Sequence, residues 1–218
     1  MNLVKRFAVF LLILFTLLVS ACGQKQPEIV ERDPQITPQP TPYPENFTVY
    51  HAPYLADGLV DMVADLPIFK IVREEEDADI RLEFSSDTAD INWVYALTAP
   101  FYYIGSGVTS VDLEAFWLGR DFHQFPVEQI FMDGNTSAVF EKLWGEPDPK
   151  RVQVVSRNVL LTKTAEQGNA FAILPFEEIA PAWQVLEVDG SSPIRKEFDP
   201  DNYSLTVPFS FTGDTGTL

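Results

Sequence analysis

The chain has one cysteine, two histidines and three methionines, and only 15 Lys and Arg against 32 Asp and Glu. A single cysteine excludes an intrachain disulfide, so the fold is held by its core rather than by cross-links. With only His51 and His123 present, a histidine-rich metal site is excluded, and no cofactor is expected. The shortage of cations leaves a formal charge of −17, which repels nucleic acid and anionic headgroups at long range. A DNA or RNA partner is therefore not expected. A local anion site is not, because a pocket answers to nearby dipoles and side chains. Catalytic motifs are absent as well: there is no Gly-x-Ser-x-Gly elbow, no phosphate-binding glycine loop and no His-Glu-x-x-His. An enzyme is not expected; hydrolysis of phosphoesters or glycosides is the catalytic alternative.

The N-terminus is informative. Lys5 and Arg6 precede an apolar run from Phe7 to Val19, and Val19-Ser20-Ala21-Cys22 forms a lipobox. Residues 1–21 read as a cleavable lipoprotein signal peptide, too short for a membrane-spanning helix, with an uncleaved anchor as the alternative. The lone Cys22 then carries acyl chains of the palmitate type, each buried methylene contributing about 0.8 kcal/mol. This predicts a lipid anchor on the extracytoplasmic face of a bacterial cell membrane. Loss of Lys5 and Arg6 with the leader takes the formal charge from −17 to −19. Residues 22–46 hold Pro27, Pro34, Pro38, Pro40, Pro42 and Pro44 among polar residues, and read as an extended stalk rising about 3.1 Å per residue.

Residues 47–218 have the composition of a folded domain, or of two small lobes; 46% of the whole chain is hydrophobic and it includes 17 phenylalanines. Phe47–His51 reads as a strand. Leu55, Leu59, Met62, Val63 and Leu66 recur at helical spacing, with Asp57, Asp61 and Asp65 on another face. Strands are predicted at 69–72 and 79–84, an acidic turn at Glu74–Asp77, and a buried strand leading into a loop across 91–104. Thr109 caps a helix stopped by Gly119, and Gly134-Asn135-Thr136-Ser137 opens a second ended by Gly145. Further strands are read at 127–132, 151–155, 169–174, 183–188 and 203–211, and a helix at 158–167. Strands alternating with helices predict an α/β class with partly parallel pairing.

Val108-Thr-Ser-Val-Asp-Leu-Glu-Ala-Phe-Trp-Leu-Gly119, Gly134-Asn-Thr-Ser137 running into Trp144, and Gly168-Asn-Ala-Phe-Ala-Ile-Leu-Pro-Phe176 follow one another as similar segments do in type 2 periplasmic binding proteins. With Trp183–Gly190 and Tyr203–Val207 behind them, they also resemble the binding-protein-like region ahead of capsule-synthesis domains of the poly-γ-glutamate type. The resemblance implies a two-lobed α/β fold, minimal or C-terminally truncated, that closes on a small ligand between its lobes. It implies a separate transporter permease as partner, or an envelope-polymer enzyme if the domain is a non-catalytic accessory. One departure stands out. The loop after the first strand, Ser/Thr/Gly-rich in phosphate- and molybdate-type members, is His51-Ala-Pro-Tyr-Leu55 here.

Two-lobed binders use loops at strand ends and helix N-termini, where the dipole favours anionic groups. The candidates on that logic are Tyr50, His51 and Tyr54, then Ser85, Ser86 and Thr88, then Asn135, Thr136 and Ser137. Capping and turn formation account for the same hydroxyl residues without a ligand.

Overall fold

A computed structural model describes residues 47–121 and 125–213. The leader, Cys22, the stalk and His123 lie outside the described residues. Among the described residues the hydrophobic core lies within the compact unit Pro44–Leu218.

Parallel pairing builds the first lobe. Strand β1 (Phe47–His51) pairs in parallel with β2 (Phe69–Val72) on one side and β3 (Ile80–Phe84) on the other. Helix α1 (Asp57–Ala64) crosses from β1 to β2 and buries Leu59 and Val63 on the sheet; Asp61 and Asp65 face solvent. The helix is shorter at both ends than the apolar spacing suggests. Pro53 lies ahead of its start, and after Leu66 the chain turns through Pro67 into β2. Strand β4 (Ile91–Pro100) then leaves this lobe and enters the second.

The second lobe repeats the logic. Thr109 accepts a hydrogen bond from Asp112 N and caps α2 (Ser110–Trp117), and Gly119 at φ 70° terminates it. Strand β6 (Gln129–Met132) lies parallel to β7 (Val152–Val154) and to β8 (Ala170–Pro175), and β8 runs antiparallel to β4. Helix α3 (Gly134–Trp144) connects β6 to β7, and α4 (Leu160–Gln167) connects β7 to β8. All six residues of β8 are buried, as a strand covered on both faces requires. One face carries an aromatic cluster, with Phe140 4.7 Å from Trp144 and 5.3 Å from Tyr95, and Trp144 5.6 Å from Trp117. On the other face Leu160 packs with Phe131, Leu174 and Trp183.

Two segments depart from the sequence reading. The stretch 183–188 is two strands, because the chain changes neighbours at the buried Leu186. Strand β9 (Trp183–Val185) pairs with β4, and β10 (Glu187–Val188) pairs with β5 (Gly107–Val108). The final strand, β11 (Thr206–Gly213), inserts antiparallel between β3 and β4 to give the order β2-β1-β3-β11-β4-β8-β6-β7. Pro208 is tolerated inside this central strand for a local reason. Its carbonyl accepts from Ser85 N, so its nitrogen faces the same side, where β3 has already ended at Phe84.

Candidate functional site

The C-terminal ends of β1, β6, β7 and β8 and the N-termini of α1 and α3 converge where the lobes meet. Open α/β sheets place ligands at such strand ends. The β1 side contributes the loop Ala52–Ala56 and the first turn of α1, whose N-terminus has no side-chain cap. Asp133 enters from the other lobe at the end of β6. Its Oδ1 accepts from Thr136 N at 2.8 Å and so caps α3, while Oδ2 accepts from Arg157 Nε at 2.8 Å.

Arg157, just after β7, is the hub. Its Nη1 reaches across the lobes to Asp57 Oδ2 at 2.7 Å and lies 3.0 Å from Glu178 Oε1, while Nη2 is 2.8 Å from Asp133 Oδ2. Burial alone would depress the guanidinium, but hydrogen bonding to Asp133 and the charges of Glu178 and Asp133 raise its pKa above the ordinary value. Glu178 is less well served. Its Oε1 is buried and sits outside hydrogen-bond geometry despite the short distance to Arg157. Burial, with only partial relief from Arg157 and opposition from Asp133, Glu177 and Asp57, pushes its pKa up to about 7. Three carboxylates thus share one guanidinium, with Glu177 close by, so negative charge is in surplus around it.

Three further contacts close the lobes on each other. Glu177 follows β8 and accepts from Trp93 Nε1 of β4 at 3.1 Å; burial raises its pKa too. It abuts Gly58 of α1, where any Cβ would lie 2.6 Å from Glu177 Oε1, so only glycine permits this approach. Asn135 Nδ2 donates to Leu55 O at 3.3 Å, and Lys142 Nζ sits 4.9 Å above the Tyr54 ring.

The residues singled out from sequence divide accordingly. Asn135 and Tyr54 make contacts between lobes. Tyr54 OH also accepts from Phe84 N at 3.3 Å, and burial raises its phenol pKa. Thr136 and Ser137 are buried in the first turn of α3, with Ser137 Oγ donating to Glu141 Oε1 at 3.4 Å. Tyr50 and His51 are half-buried and stacked with centroids 6.4 Å apart, and His51 Nδ1 lies 3.2 Å from Ala52 O. Ser85, Ser86 and Thr88 form a turn inside the first lobe: Thr88 N donates to Ser85 Oγ at 3.3 Å, Ser86 Oγ to Asp87 Oδ1 at 3.2 Å, and Thr88 Oγ1 meets Ser210 Oγ at 3.0 Å. Sequence reasoning missed Arg157, Asp133, Glu177 and Glu178. Asp133 carried a usable signal, standing at the N-cap position before Gly134-Asn135-Thr136; Arg157 carried none.

Among the described residues no group of three or more His, Cys, Asp or Glu is placed to hold a metal. An open cavity of about 490 Å³ lies elsewhere, around β5 and β10, lined by Thr109, Glu187 and Asp189. Its three carboxylates have partners: Glu187 pairs with Arg195, Asp189 accepts from Ser110 N and Ser204 Oγ, and Asp112 accepts from Thr109 Oγ1.

No family model matches this chain, and no curated protein matches it. Solved structures do. An ABC-type phosphate transport receptor from Vibrio cholerae is similar at 12% identity and TM-score 0.59, over 76% of this chain and 85% of that one. A possible phosphate binding protein from Planctomyces limnophilus DSM 3776 aligns at 11% identity and TM-score 0.52, over 78% and 81%. PstS from Borrelia burgdorferi aligns at 9% identity and TM-score 0.51, over 77% and 86%. At these identities the likeness concerns the fold, and the fold of this chain is the two-lobed α/β architecture of type 2 periplasmic binding proteins.

Proposed function

We propose that the chain is a non-catalytic, extracytoplasmic binding domain, tethered through an acylated Cys22, that takes a small solute between its lobes. The observation that supports this most is the meeting of two helix N-termini from different lobes, α1 at Asp57 and α3 at Asp133, at the ends of parallel strands. Phosphate, named for the similar structures, fits poorly. Asp57, Asp133, Glu177 and Glu178 stand where an oxyanion would bind, and Arg157 already serves three of them. A solute that brings a positive charge, or none, suits this cleft. Thermal unfolding of residues 45–218 against oxyanions, amino acids, polyamines, sugars and glutamyl oligomers tests the reading. Ligand at about a hundred times its Kd adds about 2.7 kcal/mol and raises Tm by several degrees. Absence of any shift rejects it.

The filled cleft favours a second reading, an accessory domain in envelope-polymer synthesis that binds no small molecule. Neighbouring permease and ATPase genes support the first reading, and neighbouring capsule or ligase genes the second. For the tether, palmitate labelling of the whole chain should be lost in Cys22→Ala.

A further inference from the structure

We infer that Arg157 is a built-in clasp that occupies the interlobe cleft and holds the two lobes closed with no ligand present. The asymmetry of its partners carries this. Asp133 and Glu178 belong to the same lobe as Arg157, and Asp57 to the opposite one. Asp133, with a side chain 10% exposed and its other oxygen capping α3, fixes the guanidinium at Nε and Nη2. That leaves Nη1 projecting across the cleft to Asp57, at the first turn of the uncapped α1. The arm is anchored on one side and grips on the other. Beside it Gly58 lets Glu177 come to the helix backbone, and Asn135 holds Leu55 O, so the lobes meet closely around the guanidinium. The carboxylates explain why one cation matters so much. With Arg157 removed, Asp57 faces Asp133 across the cleft and like charges drive the lobes apart. The clasp also predicts selectivity: an incoming solute must displace a paired guanidinium, and an oxyanion meets carboxylates whether or not it does. The inference rests on the two-lobed fold and needs no ligand, so it stands or falls separately from the solute-binding reading.

Interlobe distance is the direct readout. Residues 44–218 contain no cysteine, so exposed positions Asp65 on the first lobe and Lys150 on the second accept a dye pair as Asp65→Cys and Lys150→Cys. Single-molecule energy transfer without ligand should show one short distance. Asp57→Asn and Asp57→Ala, at a side chain 71% exposed, remove the charge that Nη1 grips while leaving the core untouched, and each should raise the open fraction about two- to fivefold, as removal of one partly exposed ion pair does. Arg157→Ala should open the cleft further, since it also leaves Asp57 facing Asp133; if that variant fails to fold, the Asp57 pair still decides. A predominantly open wild type, or an open fraction unchanged in both Asp57 variants, overturns the clasp.

Discussion

Glu178 makes stability depend on pH in the direction opposite to most carboxylates. Its pKa rises from the ordinary 4.5 to about 7 in the fold, because burial among Asp57, Asp133 and Glu177 outweighs the attraction of Arg157. The folded state therefore holds a proton that the unfolded chain has released. Protons bound in excess by the native state mean that stability falls as pH rises. The contribution is fully present below pH 4.5 and is lost as pH climbs through 7. A displacement of that size corresponds to about 3 kcal/mol; water reaching the 18% of the side chain still exposed trims it to about 2 kcal/mol. Glu177 is shifted the same way and adds to the trend. The opposite limb belongs to Asp79, held below the usual range by hydrogen bonds from Thr48. Asp189 joins it, since the hydrogen bonds from Ser110 and Ser204 overcome burial there. Those two lose their contribution only as pH falls below the ordinary carboxylate range. The perturbation is Glu178→Gln, which keeps the shape and removes the titration. Urea unfolding between pH 5 and 8.5 should show wild type losing about 2 kcal/mol, or roughly 4–8 °C of Tm for a domain this size. The variant should lose markedly less and be the more stable of the two at pH 8. A wild-type stability that rises over this window, or a variant with the same slope, refutes the reasoning.

Other consequences are equally concrete. Asp133→Ala removes both the α3 cap and the buried partner of Arg157 and should cost about 2–4 kcal/mol by denaturant unfolding; Asp133→Asn keeps the cap and should cost less. Phe140→Ala empties the centre of the aromatic cluster and should cost about 3–5 kcal/mol, with near-ultraviolet dichroism reporting the loss of packing. Gly58→Ala should leave stability within about 1 kcal/mol, since the gain in helix propensity offsets the displacement of Glu177, yet the Trp93 indole N–H resonance should move as its carboxylate leaves. Millimolar phosphate should shift the wild-type Tm by less than about 1 °C.

Local chemistry wrote most of the elements plainly. Thr109 and Gly119 bracket α2 because a hydroxyl cap and a left-handed glycine have few other uses at those positions. Strand β1 and helix α3 follow the same local rules. Pairing is another matter: alternation along 206–213 says that one face is buried, but not that β11 lies between β3 and β4 rather than at an edge. The cleft was legible only where a residue had a local task. Asn135 was visible as part of a helix start, and it does reach Leu55. Arg157 sits in no motif, and its partners at 57, 133 and 178 are brought to it by three different strand ends, so nothing near it in the chain announced its role. Asp57 read as one member of an acidic stripe, and only the fold separates it from the solvated Asp61 and Asp65.

The insertion of β11 also imposes an order on assembly. The second lobe is one continuous piece of chain, from β4 through β10, whose strands pair with one another. The first lobe is split. Its opening residues, β1 to β3, wait for Thr206–Gly213 to return and fill the gap between β3 and β4. Until then both strands present open edges, the condition in which sheets recruit the wrong neighbour. Pairing of β11 with both is what removes those edges, so a variant that weakens β11 should aggregate more readily than one that weakens β7 at the margin of the same sheet.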